Sequence, residues 1–461
     1  MTRCDRRGFL RTAACGTAAA LSGWRTEAAE KPNVIIFFAD DLGYNDIGCY
    51  GAEDMRTPNI DALAAAGTYF TQWYSNAPVC SPSRAALLTG RYPQRTGVAN
   101  NVPSGLDSAG LKPDEITLAE AMRGLDYRTG LFGKWHQGSR QDSRPQAQGF
   151  EESFGFLSGC VDYYSHIYYW HQSGYQVPYH DLWRNGEEVW ENGEYLTHLI
   201  AREASRFVRE NKERPFFLYI PFNAPHYPMH APKEYFERVK HINDPQRRTQ
   251  AAMAAALDDS IGSVMKELDR QGLRDKTLIL FISDNGPSSE PRNLLDDSRQ
   301  KYHGGRAYPF KGCKGGLHEG GIREPAIVHW PGVIPSGQVI DEVGATMDVF
   351  PTVLKLAGGE LPTDRPIDGK DIFPMITQKA KSPHEEIFWG LGEQRAVRAG
   401  DWKLLLNGKL DFEEKSESPV LLYNLKDDPG ETKDLKEQHP DLVEKLKQRI
   451  AFWEKDVGAG S

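Results

Sequence analysis

The sequence predicts an α/β protein: a large mixed, mainly parallel sheet sandwiched by helices, followed by a smaller C-terminal antiparallel sheet plus a helix. Three observations carry this prediction. Short β-branched and aromatic runs alternate with helical patterns, which argues for strand–helix–strand units with helices on both sheet faces. Several of these runs stop abruptly in polar residues, as strands do when their carboxyl ends gather a ligand. Beyond about residue 379 the texture changes to short alternating segments.

In chain order, residues 1–29 read as a targeting segment. Arg6 and Arg7 precede Gly8, Phe9 and Leu10 and then a weakly apolar, Ala-rich run, with small residues Ala28 and Ala29 at the cleavage region. This is the pattern of a twin-arginine export signal; it implies the Tat export machinery as a partner, a periplasmic destination, and a fold that starts near Glu30. "NVIIFFADD" is a buried strand running into Asp40 and Asp41, "TPNIDALAAAGTYF" reads as a helix, and "ITLAEAMRGL" as another that leads into the strand-like "YRTGLFGKW". In "VCSPSRAALLTG" a helix begins, with Ser81 able to cap it, Pro82 suited to its first turn, and Ala85, Ala86, Leu87 and Leu88 propagating it. Cys80 then stands at a helix mouth that favours an anion, with Arg84 one turn in. "PFFLYIPF" and "KTLILFISDNG" are strands flanking a long amphipathic helix that ends at Gly272. "MDVFPTVLKLAGGELP" closes this part as a helix ended by Gly-Gly and Pro. "EEIFWG", "QRAVRAGDWKLLL" and "PVLLYNL" form the small antiparallel sheet, and "PDLVEKLKQRIAFWEK" the last helix. The expected division is 1–29 signal, 30–378 catalytic domain and 379–461 C-terminal α+β subdomain.

Composition bounds the function. The 461 residues are 39% hydrophobic and 26% charged, an ordinary globular balance. A net charge of −9 argues against nucleic acid or an anionic membrane as a partner, so an anionic ligand must be drawn by a local cluster of cations. No stretch beyond the signal is long and apolar enough to span a bilayer. Six cysteines include Cys4 and Cys15 in the signal; Cys49, Cys80, Cys160 and Cys313 are too scattered for a disulfide framework or a zinc site, and a bridge among Cys49, Cys160 and Cys313 stays open.

The strand ends supply the candidate site. Asp40, Asp41, Asp284 and Asn285 offer hard oxygen ligands suited to calcium or magnesium. In "GKWHQG", Lys134 and His136 share a side if the segment is extended. His226 in "NAPHYP" and Lys314 in "KGCKGGLHEGG" stand in Gly- and Pro-rich loops that let side chains turn inward. Taken singly, each of these residues has an ordinary reading as a cap, a surface lysine or a satisfied histidine; their joint placement at strand ends is what points to a site.

"CSPSRAALLTG" matches, position for position, the CxPSRxxxLTG signature of type I, formylglycine-dependent sulfatases, a family of arylsulfatase-like enzymes in the alkaline phosphatase superfamily. The resemblance continues through "ADDLGYNDIGCYG", "GKWHQG", "APHYP", "SDNG" and "GCKGGLHEGGIREP", nearly the whole mature chain. It implies an alkaline phosphatase-like fold and hydrolysis of sulfate esters. It implies oxidation of Cys80 to formylglycine by a maturation enzyme that reads the Ser-Pro-Ser-Arg context. One hydroxyl of the aldehyde hydrate would attack sulfur to give a covalent sulfoenzyme, and the other would then be deprotonated to expel sulfate. Arg84, Lys134 and Lys314 would balance the sulfate charge, His226 with Lys314 would protonate the leaving alcohol, and His136 would act as base. Asp40, Asp41, Asp284, Asn285 and the modified Cys80 would ligate Ca2+, with Mg2+ as the alternative. Gln137 departs from the family, which often has Leu there, and is expected to affect packing.

For the substrate, residues 161–190 are dense in aromatic and polar side chains. They serve equally as a sugar-stacking surface or as packing for a long insertion. Residues 292–309 form a second candidate rim with His303 and Arg306. Export and the rings favour a sulfated carbohydrate, and the resemblance suggests a galactose or N-acetylgalactosamine sulfate. Two rivals are a phosphodiesterase or phosphatase of the same superfamily, expected to carry Ser or Thr as nucleophile with more histidine ligands, and a non-catalytic binder of sulfated glycans, expected to have lost catalytic groups.

Overall fold

A computed structural model describes residues 31–170, 178–290 and 300–458. The export signal, with Cys4 and Cys15, and parts of both aromatic and polar rim segments lie outside the described residues. The large sheet is built on β1 (Asn33–Ala39), β2 (Thr68–Tyr74), β3 (Arg128–Lys134), β4 (Glu152–Phe156), β5 (Phe216–Pro221), β6 (Thr277–Ser283) and β7 (Arg323–His329). β1 lies between parallel β6 and β5, and β3 and β4 extend the parallel run. On the other side β7 pairs antiparallel with β6 and with β2. Short strands complete an eleven-stranded sheet among the described residues.

β1 is buried throughout, so it reads as an unbroken apolar run instead of alternating. Ile35 and Phe37 pack toward α1 (Pro58–Ala66), α4 (Leu196–Glu210) and α5 (Pro245–Arg270). Val34, Ile36 and Phe38 pack on the other face, toward α2 (Cys80–Thr89), α3 (Leu118–Gly124) and α6 (Val349–Leu356). Each such side chain contributes roughly 1.5–3 kcal/mol by burial. Local chemistry sets the helix ends. Thr117 and Glu120 form a capping box at α3, and Asp244 accepts from the Arg247 amide ahead of Pro245 at α5. Gly90 ends α2 at φ 69°, where a Cβ would also lie 2.9 Å from Phe350.

The small sheet is a consecutive antiparallel meander of β8 (Glu386–Leu391), β9 (Gln394–Ala399), β10 (Trp402–Leu406) and β11 (Val420–Asn424). On it lies α7 (Pro440–Val457), whose Trp453 stacks on Phe388 at 5.5 Å and 7°. The helix Phe373–Gln378 still packs Met375 and Ile376 into the core of the large sheet.

The predicted architecture holds, with corrections at the level of elements and an answer to the open question of a disulfide. "GTYF" is not the end of a helix: α1 stops at Ala66, and the aromatic, β-branched run after Gly67 is strand β2. The strand β7 and the strongly amphipathic helix α4 were not foreseen. Cys49, Cys80, Cys160 and Cys313 are all free thiols, so no bridge forms among them.

Candidate active site

The register Ala39↔Ser283 places the carboxyl ends of β1 and β6 side by side, which brings Asp40 and Asp41 against Asp284 and Asn285. Asp284 ties the pair together: its amide donates to Ala39 O at 3.1 Å and its Oδ1 accepts from the Asp41 amide at 3.1 Å. Asp41 adopts a left-handed φ of 62°, a conformation an aspartate tolerates better than most residues, and its carboxylate and that of Asp40 offer ligand atoms within 4.8 Å of each other.

Cys80 opens α2 directly beneath this pair, with Sγ 3.6 Å from Asp40 Oδ1 and 1% exposure. The expected cap is corrected: the helix starts at Cys80 with Val79 as N-cap and no side-chain cap, while Ser81 Oγ accepts from the Val102 amide. Arg84, one turn on, reaches Asp284 Oδ2 at 2.8 Å and Asp40 Oδ1 at 3.4 Å, and its guanidinium lies over the Phe38 ring. From the end of β3, Lys134 Nζ donates to both oxygens of Asp40 at 3.0 and 2.7 Å. Lys314 Nζ contacts Asp41 Oδ2 at 2.9 Å, Glu290 Oε2 at 2.9 Å and His226 Nε2 at 3.2 Å.

The alternation expected to align Lys134 and His136 does not exist, because β3 ends at Lys134 and His136 has φ 52°. His136 is nevertheless buried beside the site; its Nε2 lies 3.1 Å from Val102 O, so Nε2 carries the proton and Nδ1 is a lone pair with no partner among the described residues. His226 has the opposite tautomer: Nδ1–H donates to Tyr227 O at 2.9 Å and Nε2 accepts from Lys314. Its loop is braced by Tyr163, whose hydroxyl lies 2.8 Å from both Asn223 O and His226 O. Tyr163, Tyr168 and Leu182 of the aromatic stretch are thus core, whereas Tyr169 and Trp190 are exposed. Gln137 does more than pack: its Nε2 donates to Ser81 O at 2.7 Å, next to Cys80.

The electrostatics follow from burial. Desolvation pushes Asp40 up to about 8 and raises Asp41, while in Asp284 the nearby Arg84 and Lys134 overcome burial and lower it. Burial opposes the charge on Lys134 and Lys314, but their carboxylate partners win and hold both protonated. Burial, aided by these lysines, drives His136 and His226 well below the ordinary histidine range. The Cys80 thiol is raised far above its usual value by burial, so the helix mouth does not make it a thiolate.

The donor set fits a hard divalent cation. Ligand atoms of Asp40, Asp41, Cys80 and His226 lie within 4.8 Å of one another, His226 being an unforeseen member. The buried Asn285 Oδ1 has no partner among the described residues, as expected of a carbonyl waiting for a cation. With all four carboxyls ionised, three aspartates and Glu290 would outnumber Arg84, Lys134 and Lys314 by one charge. Burial alone keeps Asp40 largely protonated at neutral pH, and a divalent cation that ionises it would leave the pocket net positive and suited to an anionic ester. Sequence reading missed Glu290, and it placed Tyr163 only within the aromatic stretch, without its brace on the His226 loop.

Residues 32–359 match the family model described as Sulfatase, and residues 313–456 match that of N-sulphoglucosamine sulphohydrolase, C-terminal. The chain is 32% identical to arylsulfatase J of Mus musculus, over 93% of this chain and 77% of that protein. It is 35% identical to N-acetylgalactosamine-6-sulfatase of Sus scrofa, over 82% of this chain and 72% of that one. The crystal structure of Ps i-CgsB in complex with k-i-k-neocarrahexaose resembles it with a TM-score of 0.80 at 32% identity, covering 92% of this chain and 93% of that chain.

Proposed function

Because the chain belongs to the sulfatase family, whose members are sulfuric ester hydrolases, we propose that it is exported and removes sulfate from a sulfated carbohydrate after oxidation of Cys80 to formylglycine. The observation that carries this reading is the convergence on Cys80 of Asp40, Arg84, Lys134 and Lys314 from four separate segments, all fully or almost fully buried. Once present, formylglycine and a calcium ion held by Asp40, Asp41, Asp284 and Asn285 supply a hydrated aldehyde nucleophile and charge neutralisation at the sulfate oxygens.

The chain's own residues do the rest. Arg84 and Lys134 are fixed by carboxylates before substrate arrives, so their charge needs no reorganisation as the S–O bond breaks. The proton for the leaving alcohol resides on Lys314, since His226 Nε2 is an acceptor held neutral by burial; the two form one donor unit. His136 presents Nδ1 as a base whose orientation is set by Val102 O.

A carbohydrate substrate is supported by the N-acetylgalactosamine-6-sulfatase relative, by the neocarrahexaose complex of the structural neighbour, and by a ledge of Tyr227 and Trp170, 5.4 Å apart, beside His226. Galactose and N-acetylgalactosamine sulfates are the first compounds to try. The twin-arginine segment supports Tat export to the periplasm, which cell fractionation tests directly. The deciding experiment pairs peptide mass spectrometry with sulfate release from defined sulfated saccharides. We expect the Cys80 peptide to lose mass as thiol is exchanged for aldehyde, in step with activity. Active protein with an unaltered thiol, or turnover of phosphate esters only, would refute the reading.

A further inference from the structure

We infer that the C-terminal sheet is a positioning element for Lys314, with Gln394 and Lys403 as the positioning residues; this rests on the role proposed above for Lys314. Four successive amides around Lys314 are each held. Cys313 N donates to Leu410 O at 2.9 Å, Lys314 N to Pro287 O at 3.1 Å, Gly315 N to Pro78 O at 2.8 Å and Gly316 N to Cys313 O at 3.0 Å. Three of these anchors lie in distinct places: the C-terminal unit, the stretch following Asn285, and the loop that precedes Cys80.

Gln394 closes the arrangement from the start of β9. Buried to 4% exposure, it donates from Nε2 to Gly315 O at 2.8 Å and accepts at Oε1 from Lys409 N at 2.9 Å. The loop lies so close to the connection between β10 and β11 that side chains have no room: a Cβ on Gly315, which has φ 89°, would lie 2.7 Å from the Phe412 ring, and one on Gly316 would lie 2.4 Å from Lys409 O. Five residues beyond Lys314, Glu319 is pinned as well. Its Oε1 meets Lys403 Nζ at 2.8 Å, its amide donates to Glu431 Oε2 at 2.7 Å, and Lys403 Nζ reaches Glu431 Oε1 at 2.9 Å; all three side chains are wholly buried. Tyr74 OH donates to the other oxygen of Glu319 at 2.6 Å.

A buried ion cluster adds little net stability over apolar packing of equal volume. Here it fixes one geometry at the far end of the segment that carries Lys314. The ammonium has little tolerance, standing 2.9 Å from Asp41 and 3.2 Å from His226. A displacement of about 1 Å is enough to lower a rate by roughly a hundredfold.

The test uses the full-length matured protein and aryl sulfates whose phenols differ in pKa. For Gln394→Ala we expect kcat to fall about tenfold to a hundredfold with KM held within about twofold. The loss should steepen for poorer leaving groups, because a displaced Lys314 serves the departing oxygen less well. Arg395→Ala, on the same strand, frees Glu454 of α7 without touching the loop and should keep the parent kcat. Amide exchange at residues 313–316, read by mass spectrometry, should quicken in Gln394→Ala and not in Arg395→Ala. If Gln394→Ala does not accumulate folded, Gln394→Glu replaces it, keeping the acceptor for Lys409 N while losing the donor to Gly315 O. Parent-like kcat and exchange would overturn the inference, as would a loss equal for all leaving groups, which signals only a smaller active fraction. A parent inactive on every sulfate ester sinks the proposed function, while exchange at 313–316 still decides this inference.

Discussion

Replacing Lys134 by Met removes one cation from the ring around Cys80 while preserving its volume. The ammonium stands 2.7 and 3.0 Å from the oxygens of Asp40, and both side chains are buried. With an effective dielectric constant of about 20, unit charges at that spacing attract by about 6 kcal/mol. That figure overstates the cost. Burial already pushes Asp40 up to about 8 in spite of Lys134, so without the ammonium its carboxyl is protonated at neutral pH and no bare charge is stranded. What disappears is the pair of charge-assisted hydrogen bonds, and the unfolding free energy of chelated protein should therefore fall by only about 1.5–3 kcal/mol at pH 7. Turnover should suffer more, by roughly a hundredfold to a thousandfold, because a preorganised donor at the developing charge is gone. Urea unfolding with a chelator present gives the first quantity, and sulfate release in calcium gives the second. A stability loss of about 3–5 kcal/mol, the range for stranding a buried charge, would show that Asp40 stays ionised. Turnover within about threefold of the parent would remove Lys134 from the chemistry.

Three further outcomes are expected. Cys80→Ala should abolish sulfate release yet fold normally, since a small buried side chain is exchanged for a smaller one; circular dichroism and the sulfate assay check both halves. Chelation should stop turnover, and calcium at a hundred times its Kd should restore it and raise unfolding free energy by about 2.7 kcal/mol; an unfolding temperature indifferent to calcium contradicts the cation site. His136 is held neutral, its pKa depressed by burial first and by Lys134 next. Its stabilising contribution is thus complete above the unfolded histidine value of about 6.5 and is lost as pH falls below it. Relative to His136→Gln, the parent should lose about 1 kcal/mol between pH 6.5 and 5.5, steepening toward roughly 1.4 kcal/mol per pH unit below that; a constant difference in urea stability would mean the ring protonates within the fold.

The strands that carry Asp40, Asp41 and Asp284 were legible because a strand buried on both faces must be continuously apolar, and its abrupt polar end then stands out. The nucleophile helix was legible in type and wrong in its cap, since Ser81 spends its hydroxyl on the Val102 amide rather than on its own helix. Strand β7 went unread, only its first residues entering as the end of the motif "GCKGGLHEGGIREP"; charged residues at its start mask it locally, and pairing with β6 and β2 overrides that texture. Glu290 and Gln394 carried no signal in the chain, and Tyr163 was legible only as one of the rings of its aromatic stretch: each acts on a group brought near only by folding, as with Gln394 and Gly315, separated by 79 positions.

The site has one further consequence for how the molecule comes into being. Its bonds join residues 94, 243 and 273 positions apart, in Lys134 with Asp40, Asp41 with Asp284, and Lys314 with Asp41. No nascent fragment ending before Lys314 contains the whole apparatus, and long-range pairings of this kind form slowly. Catalytic competence is therefore acquired all at once and late, which makes turnover a stricter gauge of completed assembly than secondary structure content.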